Sequence, residues 1–462
     1  MTSPNDQVSI PQWRYAPDAW RWVKRFDERH ALIVLRVRSA RILPLSMRVR
    51  FTAMGIPADI LESTLGSIRS QAGWANAWIE TAQRFLGDYR RQVSAKQLLE
   101  AAQARRLAAL SYHSAQLFAT DDERTMRTCR AAAASLFAQA QPYVYPNAQR
   151  LRIPWRTHML TGYLQAPPGD PAQSGLVVIL NGASTSKEES FAWAESFLRS
   201  GLSVLSMDRP GTGESTGVPN PAHDDDDLLD GVFEIMRQDP GIDLTQVSVV
   251  GVSRGGNLAV RCAAYDRRIM SSVAVTPPYD PARWIGRASP LLLRQLDGIA
   301  GDSSHDPHVT ANRYSLYDIV PRLKSPLLVF GAGRDLVVSP VESQLLAARA
   351  GALGTLIWYP ASGHCLYDSI PSWTAEAATW ISSVAAARAF EYQSAGFADP
   401  VHVADLAREQ LIAAGEMGDN FFDDEGSARL VDDDEFRADD IGAYARMVTP
   451  VRRPDPPSDH AT

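Results

Sequence analysis

The chain has little cysteine, no excess of positive charge and no long apolar run, and each shortage excludes a class of protein. Three cysteines in 462 residues, Cys129, Cys262 and Cys365, lack metal-ligand spacing and cannot all pair within one chain, so neither a disulfide framework nor a metal site is expected. A formal net charge of -7 leaves no basic stripe to release counterions from phosphates, which argues against nucleic acid as a partner. The apolar run from Ala31 to Leu35 is broken by Arg36, Arg38 and Arg41, so no membrane span is expected. The first residues carry no basic segment followed by an apolar one, the mark of a secretory signal, and with the sparse cysteines this gives a cytoplasmic expectation.

What is present is a chain 45% hydrophobic, able to bury a large core and long for one domain. It divides into three stretches: a helical region over 1–148, an α/β region over 149–388, and an acidic extension over 389–462. From about Pro17 to Gln141 apolar residues recur at helical spacing. Trp20, Trp22 and Phe26 crowd one segment, and Trp74, Trp78, Ala82 and Phe85 form a stripe on another. Such a stripe must cover something, and a helical layer over a catalytic face also walls off a substrate pocket. Tyr112 and His113, late in a helix starting near Ser94, are the residues here expected to face that pocket; for His113 a structural role is the stronger expectation.

Around Arg150 the period changes to two, and two alternating runs, from Arg150 and from His158, read as a hairpin. Buried strands follow at Leu176–Leu180 and Leu202–Leu205, with a helix through Trp193 and Phe197 between them. Strand and helix then alternate to Ser383, the pattern of a mainly parallel sheet covered on both faces. The glycine-rich turn from Asp208 to Ser215 lacks the Lys-Ser/Thr ending of a phosphate loop and contains two acidic residues, so it reads as structural. The acidic cluster after His223 reads as a helix cap rather than a metal site. Strands at Val273–Val275 and Pro326–Phe330 flank a segment containing Trp284 and the run from Pro290, too short for a complete lid. Beyond Phe390 one helix is expected over Val403–Ala413, then an acidic and proline-rich tail with little to bury.

The stretch Val247–Gly256 organises the rest. A run of β-branched residues stops at Gly251-x-Ser253-x-Gly255 and continues as a helix, which reads as a nucleophile elbow presenting Ser253. A serine hydroxyl needs a base, and the base an orienting carboxylate. Asp335 follows the strand ending at Phe330, and His364 follows the strand ending near Pro360, both at the carboxyl ends where parallel sheets place their sites. The order Ser253, Asp335, His364 is that of an α/β-hydrolase, and of nine histidines only His364 follows a suitable strand downstream of a suitable aspartate. Asp318 is the alternative acid. The oxyanion donors are expected to be the backbone N–H groups of Arg254 and of Ala183, with Gly182 letting the loop approach. No cofactor is required.

These residues resemble the α/β-hydrolase superfamily over about Arg150 to Ser383. A helical N-terminal region, the segments Arg152–Pro154 and Leu160–Leu164, the loop from Asn181 to Glu189, and the turn from Asp208 to Ser215 are similar to a narrower group. That group contains 2,6-dihydroxypseudooxynicotine hydrolase, fungal polyketide-shortening hydrolases and fermentation-respiration-switch proteins. The resemblance implies that the N-terminal helices cap the site, and that carbon-carbon cleavage of β-dicarbonyl or aryl-ketone compounds stands beside ester hydrolysis. In the carbon-carbon hydrolase the loop before Lys-Glu-Glu carries an acidic residue near the substrate; here Ser184 takes that place, a departure that bears on substrate. One relative lacks the elbow serine, whereas Ser253 is present. The expected substrate is a small or medium-sized ester or ketone. An acyltransferase or cyclase using the same triad, and a non-catalytic ligand-binding protein of the same fold, remain the competing readings; a homodimer through the helical region is expected by analogy alone.

Overall fold

The computed structural model describes residues 45–68, 73–117, 122–169, 173–218, 227–283, 311–335 and 337–394. Among them, helices Leu45–Ala53, Ala58–Ser67, Gly73–Ser94, Leu98–Gln116 and Glu123–Val144 precede the first strand. The apolar stripe explains their packing: Trp74, Trp78 and Ala82 are fully buried, and Phe51 stacks on Trp78 with ring centroids 5.2 Å apart. Asp122 starts the last of these helices by accepting a hydrogen bond from the Thr125 N–H at 2.9 Å.

An eight-stranded sheet follows, with spatial order β1-β2-β4-β3-β5-β6-β7-β8. Its strands are β1 Ala148–Trp155, β2 His158–Gln165, β3 Ser174–Leu180, β4 Ser203–Met207, β5 Ile242–Val252, β6 Ile269–Val275, β7 Leu327–Ala332 and β8 Gly354–Tyr359. The β1–β2 and β2–β4 pairs are antiparallel and the remaining pairs parallel. Because β3, β4, β6 and β7 are covered on both faces, every residue in them is buried, which is why they read as unbroken apolar runs. Register brings Leu180 beside Gly251, Gly251 beside Ala274, Val275 beside Phe330 and Ala332 beside Tyr359. The carboxyl ends of β3, β5, β6, β7 and β8 therefore form one rim.

One face is covered by Leu258 and Ala259 of helix Arg254–Tyr265, with Val232, Phe233 and Leu346. On the other lie Trp193, Phe197, Trp373, Ala377 and Ile381. The helical layer meets the sheet through Phe137, Tyr163 and Phe191, with Phe137 and Tyr163 rings 5.3 Å apart.

Two expectations change. The helix through Trp193 and Phe197 is broken into helix Lys187–Ser190, a 3-10 turn Phe191–Ala194 and helix Glu195–Arg199, because its first turn faces ionic partners while the aromatics face apolar core. The last helix runs Ile370–Ser394, so the boundary expected at 388 falls inside it; the alanine-rich stretch past Val384 sustains the helix after its core contacts end. Trp20, Trp22, Phe26, the run Ala31–Leu35, His223 and the three aspartates 224–226, Trp284, the run from Pro290, the helix at Val403–Ala413 and the acidic tail lie outside the described residues, whereas Asp227 is described and accepts from Trp155 and Arg156. No described helix is long and apolar enough to cross a membrane.

Candidate active site

The turn between β5 and helix Arg254–Tyr265 is too tight for ordinary backbone. Ser253 sits at φ 52° and ψ -119°, a strained conformation for a non-glycine residue, of the kind that costs about 1–3 kcal/mol and persists where its surroundings enforce it. Enforcement comes from close approach: a Cβ on Gly251 would lie 2.1 Å from the Gly255 carbonyl oxygen, and one on Gly255 2.1 Å from that of Leu180. Glycine at both positions lets the helix start directly beneath the serine. The positive end of the helix dipole then lies at the hydroxyl.

Ser253, His364 and Asp335, from three separate loops at the rim, are brought into one hydrogen-bonded chain. The Ser253 Oγ lies 2.9 Å from His364 Nε2, and His364 Nδ1 lies 2.7 Å from Asp335 Oδ2. A carboxylate only accepts, so Nδ1 carries the proton and Nε2 is left to accept from the serine. The other Asp335 oxygen accepts from the Val337 and Val338 N–H groups at 2.8 and 2.9 Å, which fixes the carboxylate plane. Burial lowers the affinity of His364 for a proton, but Asp335 outweighs it, and the net direction is upward from the ordinary imidazole value. Cys365 and Leu366, just past the histidine, adopt left-handed conformations at φ 61° and 50°, and the Cys365 N–H donates to Thr276 Oγ1 at 3.0 Å. Asp318 is exposed and takes no part in this chain of bonds.

Arg254 has its side chain tied elsewhere: one guanidinium nitrogen donates to Asn257 Oδ1 at 2.7 Å, and the group lies 3.8 Å over the Tyr314 ring. Its backbone N–H is one of the first-turn donors that an α-helix leaves without an intrahelical partner. Gly182, preceding Ala183, lies against the serine, where a Cβ on it would be 3.7 Å from Ser253 Cβ. Ala183 and Ser184 are half-buried.

Of the pocket residues suggested by the sequence, His113 lines a small cavity and Tyr112 lies in apolar core. Tyr112 is buried in the apolar core of the helical layer, and burial pushes its hydroxyl up to about 12. His113 is also buried; its Nε2 lies 2.7 Å from Glu189 Oε2 and its Nδ1 3.2 Å from Ser186 Oγ. Beside it is a cavity of about 10 Å³ lined by Gln116, Arg130, Thr185 and Glu188, room for about one water. The Ser184 carbonyl accepts from Arg50 and from Gln116, each at 3.2 Å.

Two buried charge networks support this rim, and sequence reasoning missed both. Lys187, with no exposed surface, lies 2.6 Å from Glu188, 2.8 Å from Asp208 and 3.0 Å from Glu214. Burial pushes the Asp208 carboxyl up to about 6 against the pull of Lys187. For Glu214 burial also acts upward, yet Lys187 and Arg150 outweigh it and hold that carboxyl at about 2. The glycine-rich turn is thus a clamp around an ion cluster: the Asp208 carboxylate accepts from the Lys187 and Glu214 N–H groups. In the second network Arg50 forks onto Glu189 at 2.8 and 2.7 Å. Burial would raise the Glu189 carboxyl, but Arg50 and then His113 hold it at about 2. A charged triplet such as Lys187-Glu188-Glu189 reads in sequence as a solvated turn; only the distant partners Arg50, Asp208 and Glu214 reveal the burial. Among the described residues no group of three or more His, Cys, Asp or Glu side chains is arranged to hold a metal.

Comparison with known proteins places this geometry in context. Residues 177–377 match the alpha/beta hydrolase family. The chain is 27% identical over 201 residues to the 2,6-dihydropseudooxynicotine hydrolase of Paenarthrobacter nicotinovorans, covering 44% of this chain and 54% of that one. It is 34% identical over 158 residues to the hydrolyase poxO of Penicillium oxalicum, covering 32% and 37%. It is also 34% identical over 110 residues to the thiohydrolase aneE of Aspergillus aculeatus, covering 23% and 35%. The matches thus span about half or less of these relatives. Among solved structures, 2,6-dihydroxy-pseudo-oxynicotine hydrolase superposes with a TM-score of 0.64 at 21% identity, over 73% of this chain and 95% of that one. AbyA5 superposes with a TM-score of 0.54 at 17% identity, over 74% and 90%. At these identities the superpositions establish the fold, that of an α/β-hydrolase with an N-terminal helical region.

Proposed function

We propose that this chain, whose residues 177–377 match the alpha/beta hydrolase family, is a serine hydrolase in which Ser253 is the nucleophile, His364 the general base and Asp335 the residue that orients it. The observation that carries the reading is the continuous bond from Ser253 through His364 to Asp335, 2.9 and 2.7 Å, at the strained apex of a glycine-bound elbow. The Ser253 oxygen attacks a carbonyl carbon while its proton passes to His364 Nε2. The tetrahedral oxygen is received by the N–H groups of Ala183 and Arg254. His364 then gives the proton to the departing group, and water, deprotonated by the same nitrogen, releases the acyl group from Ser253. Asp335 keeps Nδ1 protonated throughout and stabilises the imidazolium that forms.

The substrate class is a small or medium-sized acyl compound or ketone. Relatives named as hydrolases and as a thiohydrolase widen the leaving group from alcohol to thiol, and for a ketone the departing group is a carbon that takes the proton from His364. A fluorophosphonate probe should label the wild type and not Ser253→Ala; a folded wild type that stays unlabelled contradicts the reading. Hydrolysis in ¹⁸O-water places solvent oxygen in the released acid, whereas acyl transfer or cyclisation does not.

A further inference from the structure

The loop from Asn181 to Ser186 is held from two sides. From below, Arg209, two residues past β4 and fully buried, donates from Nε to the Asn181 carbonyl and from a terminal nitrogen to the Gly182 carbonyl, both at 3.0 Å. From above, the helical layer holds the Ser184 carbonyl through Arg50 and Gln116, each at 3.2 Å, and Arg50 also reaches Ser184 Oγ at 3.4 Å. In a trans peptide the N–H points opposite to the carbonyl of the same plane. With the Gly182 carbonyl turned towards Arg209, the Ala183 N–H is directed away from it. The plane stays in that orientation only if the chain that follows cannot swing, and the next anchored carbonyl is that of Ser184.

Arg50 is itself anchored. Its Nε and one terminal nitrogen fork onto Glu189 at 2.8 and 2.7 Å, Glu189 is braced by His113 at 2.7 Å, and the guanidinium carbon lies 5.2 Å from the centre of the Tyr367 ring, three residues past His364. One side chain from outside the hydrolase domain therefore touches both the loop of the oxyanion donor and the segment of the general base.

We propose that Arg50, assisted by Gln116, is a positioning residue for the oxyanion hole: by fixing the Ser184 carbonyl against the helical layer it sets the turn that presents the Ala183 N–H to the developing oxyanion. The inference rests on the serine-hydrolase reading and deepens it, since the helical layer then completes the catalytic machinery instead of only enclosing substrate.

The test compares a p-nitrophenyl ester with its thiono analogue, because a developing sulfur anion draws far less from N–H donors than an oxygen anion does. Arg50→Lys keeps a cation on Glu189 but lacks the planar fork that reaches Ser184 as well. In that variant kcat for the oxygen ester should fall about tenfold or more with KM within about twofold, and the oxygen-to-thiono rate ratio should fall by the same factor as kcat. Gln116→Met preserves shape and removes the bond to the Ser184 carbonyl, along with the one Gln116 accepts from Arg130 away from the loop; the expected loss in kcat and in the ratio is about fivefold, the equivalent of the one neutral hydrogen bond to Ser184. Should Arg50→Lys fail to fold, the Gln116 variant decides. An unchanged ratio in the folded variants overturns the positioning role while leaving the hydrolase reading intact. A wild type without Ser253-dependent turnover overturns both.

Discussion

Replacing Asp335 with asparagine reverses one hydrogen bond while preserving shape. The Val337 and Val338 N–H groups, 2.8 and 2.9 Å from Asp335 Oδ1, require an acceptor there, so an asparagine at this position must place its carbonyl oxygen towards them. Its amide nitrogen then faces His364 Nδ1, at the position 2.7 Å away where the wild type has an accepting oxygen. Two donors cannot share one bond, so Nδ1 becomes the acceptor and the imidazole proton moves to Nε2. That nitrogen lies 2.9 Å from Ser253 Oγ and can no longer take its proton. Loss of the correct tautomer is worth about a thousandfold to ten-thousandfold in kcat, or about 4–5 kcal/mol of barrier. The assay is kcat/KM for an activated ester at neutral pH, with circular dichroism to establish folding. Asp318→Asn is the control and should stay within about twofold, being an exposed substitution. A folded Asp335→Asn that keeps more than about a tenth of wild-type activity refutes the tautomer argument.

Other consequences follow from the same geometry. The imidazole must be neutral to accept a proton, and Asp335 raises its affinity for one, so kcat/KM should climb with pH along an acid limb centred above the ordinary 6.5; a limb centred below 6.5 contradicts the coupling. Gly255→Ala places a Cβ 2.1 Å from the Leu180 carbonyl oxygen and should cost about 1–3 kcal/mol or more, read as a lower thermal midpoint; a midpoint within about 2 °C of wild type contradicts the close approach. Holding the Glu189 carboxyl at about 2, against the usual 4.5, stabilises the fold above pH 4.5 by about 3 kcal/mol, and this contribution is lost as pH falls from 4.5 towards 2. Urea unfolding of Glu189→Gln should therefore show lower stability at pH 7 and a shallower decline over that acid range; an unchanged decline contradicts the assignment.

The three residues of the proposed triad are legible because each follows a strand whose apolar run is unmistakable, and a parallel sheet brings such ends to one rim. Ser253, Asp335 and His364 meet there even though residues 253 and 364 are 111 positions apart. What stayed hidden depends on partners far away in the chain. Lys187, Glu188 and Glu189 look solvated until Asp208, Glu214 and Arg50 surround them, and Arg50 itself is one of two arginines in a nine-residue helix. Tyr112 and His113 are adjacent positions on a helix, about 100° apart, and so face different surroundings, which periodicity alone does not assign. Tyr112 accordingly turns into the helical core and His113 onto Glu189. The boundary expected at 388 falls inside the last helix because alanine propensity carries that helix past its core contacts.

Covalent trapping addresses the nucleophile itself. Wild-type protein mixed with a slowly deacylating activated ester and quenched in acid should gain the mass of one acyl group, mapped by peptide sequencing to the segment containing Ser253 and absent from Ser253→Ala. An acyl group on any other residue, or turnover that persists in Ser253→Ala, contradicts the account.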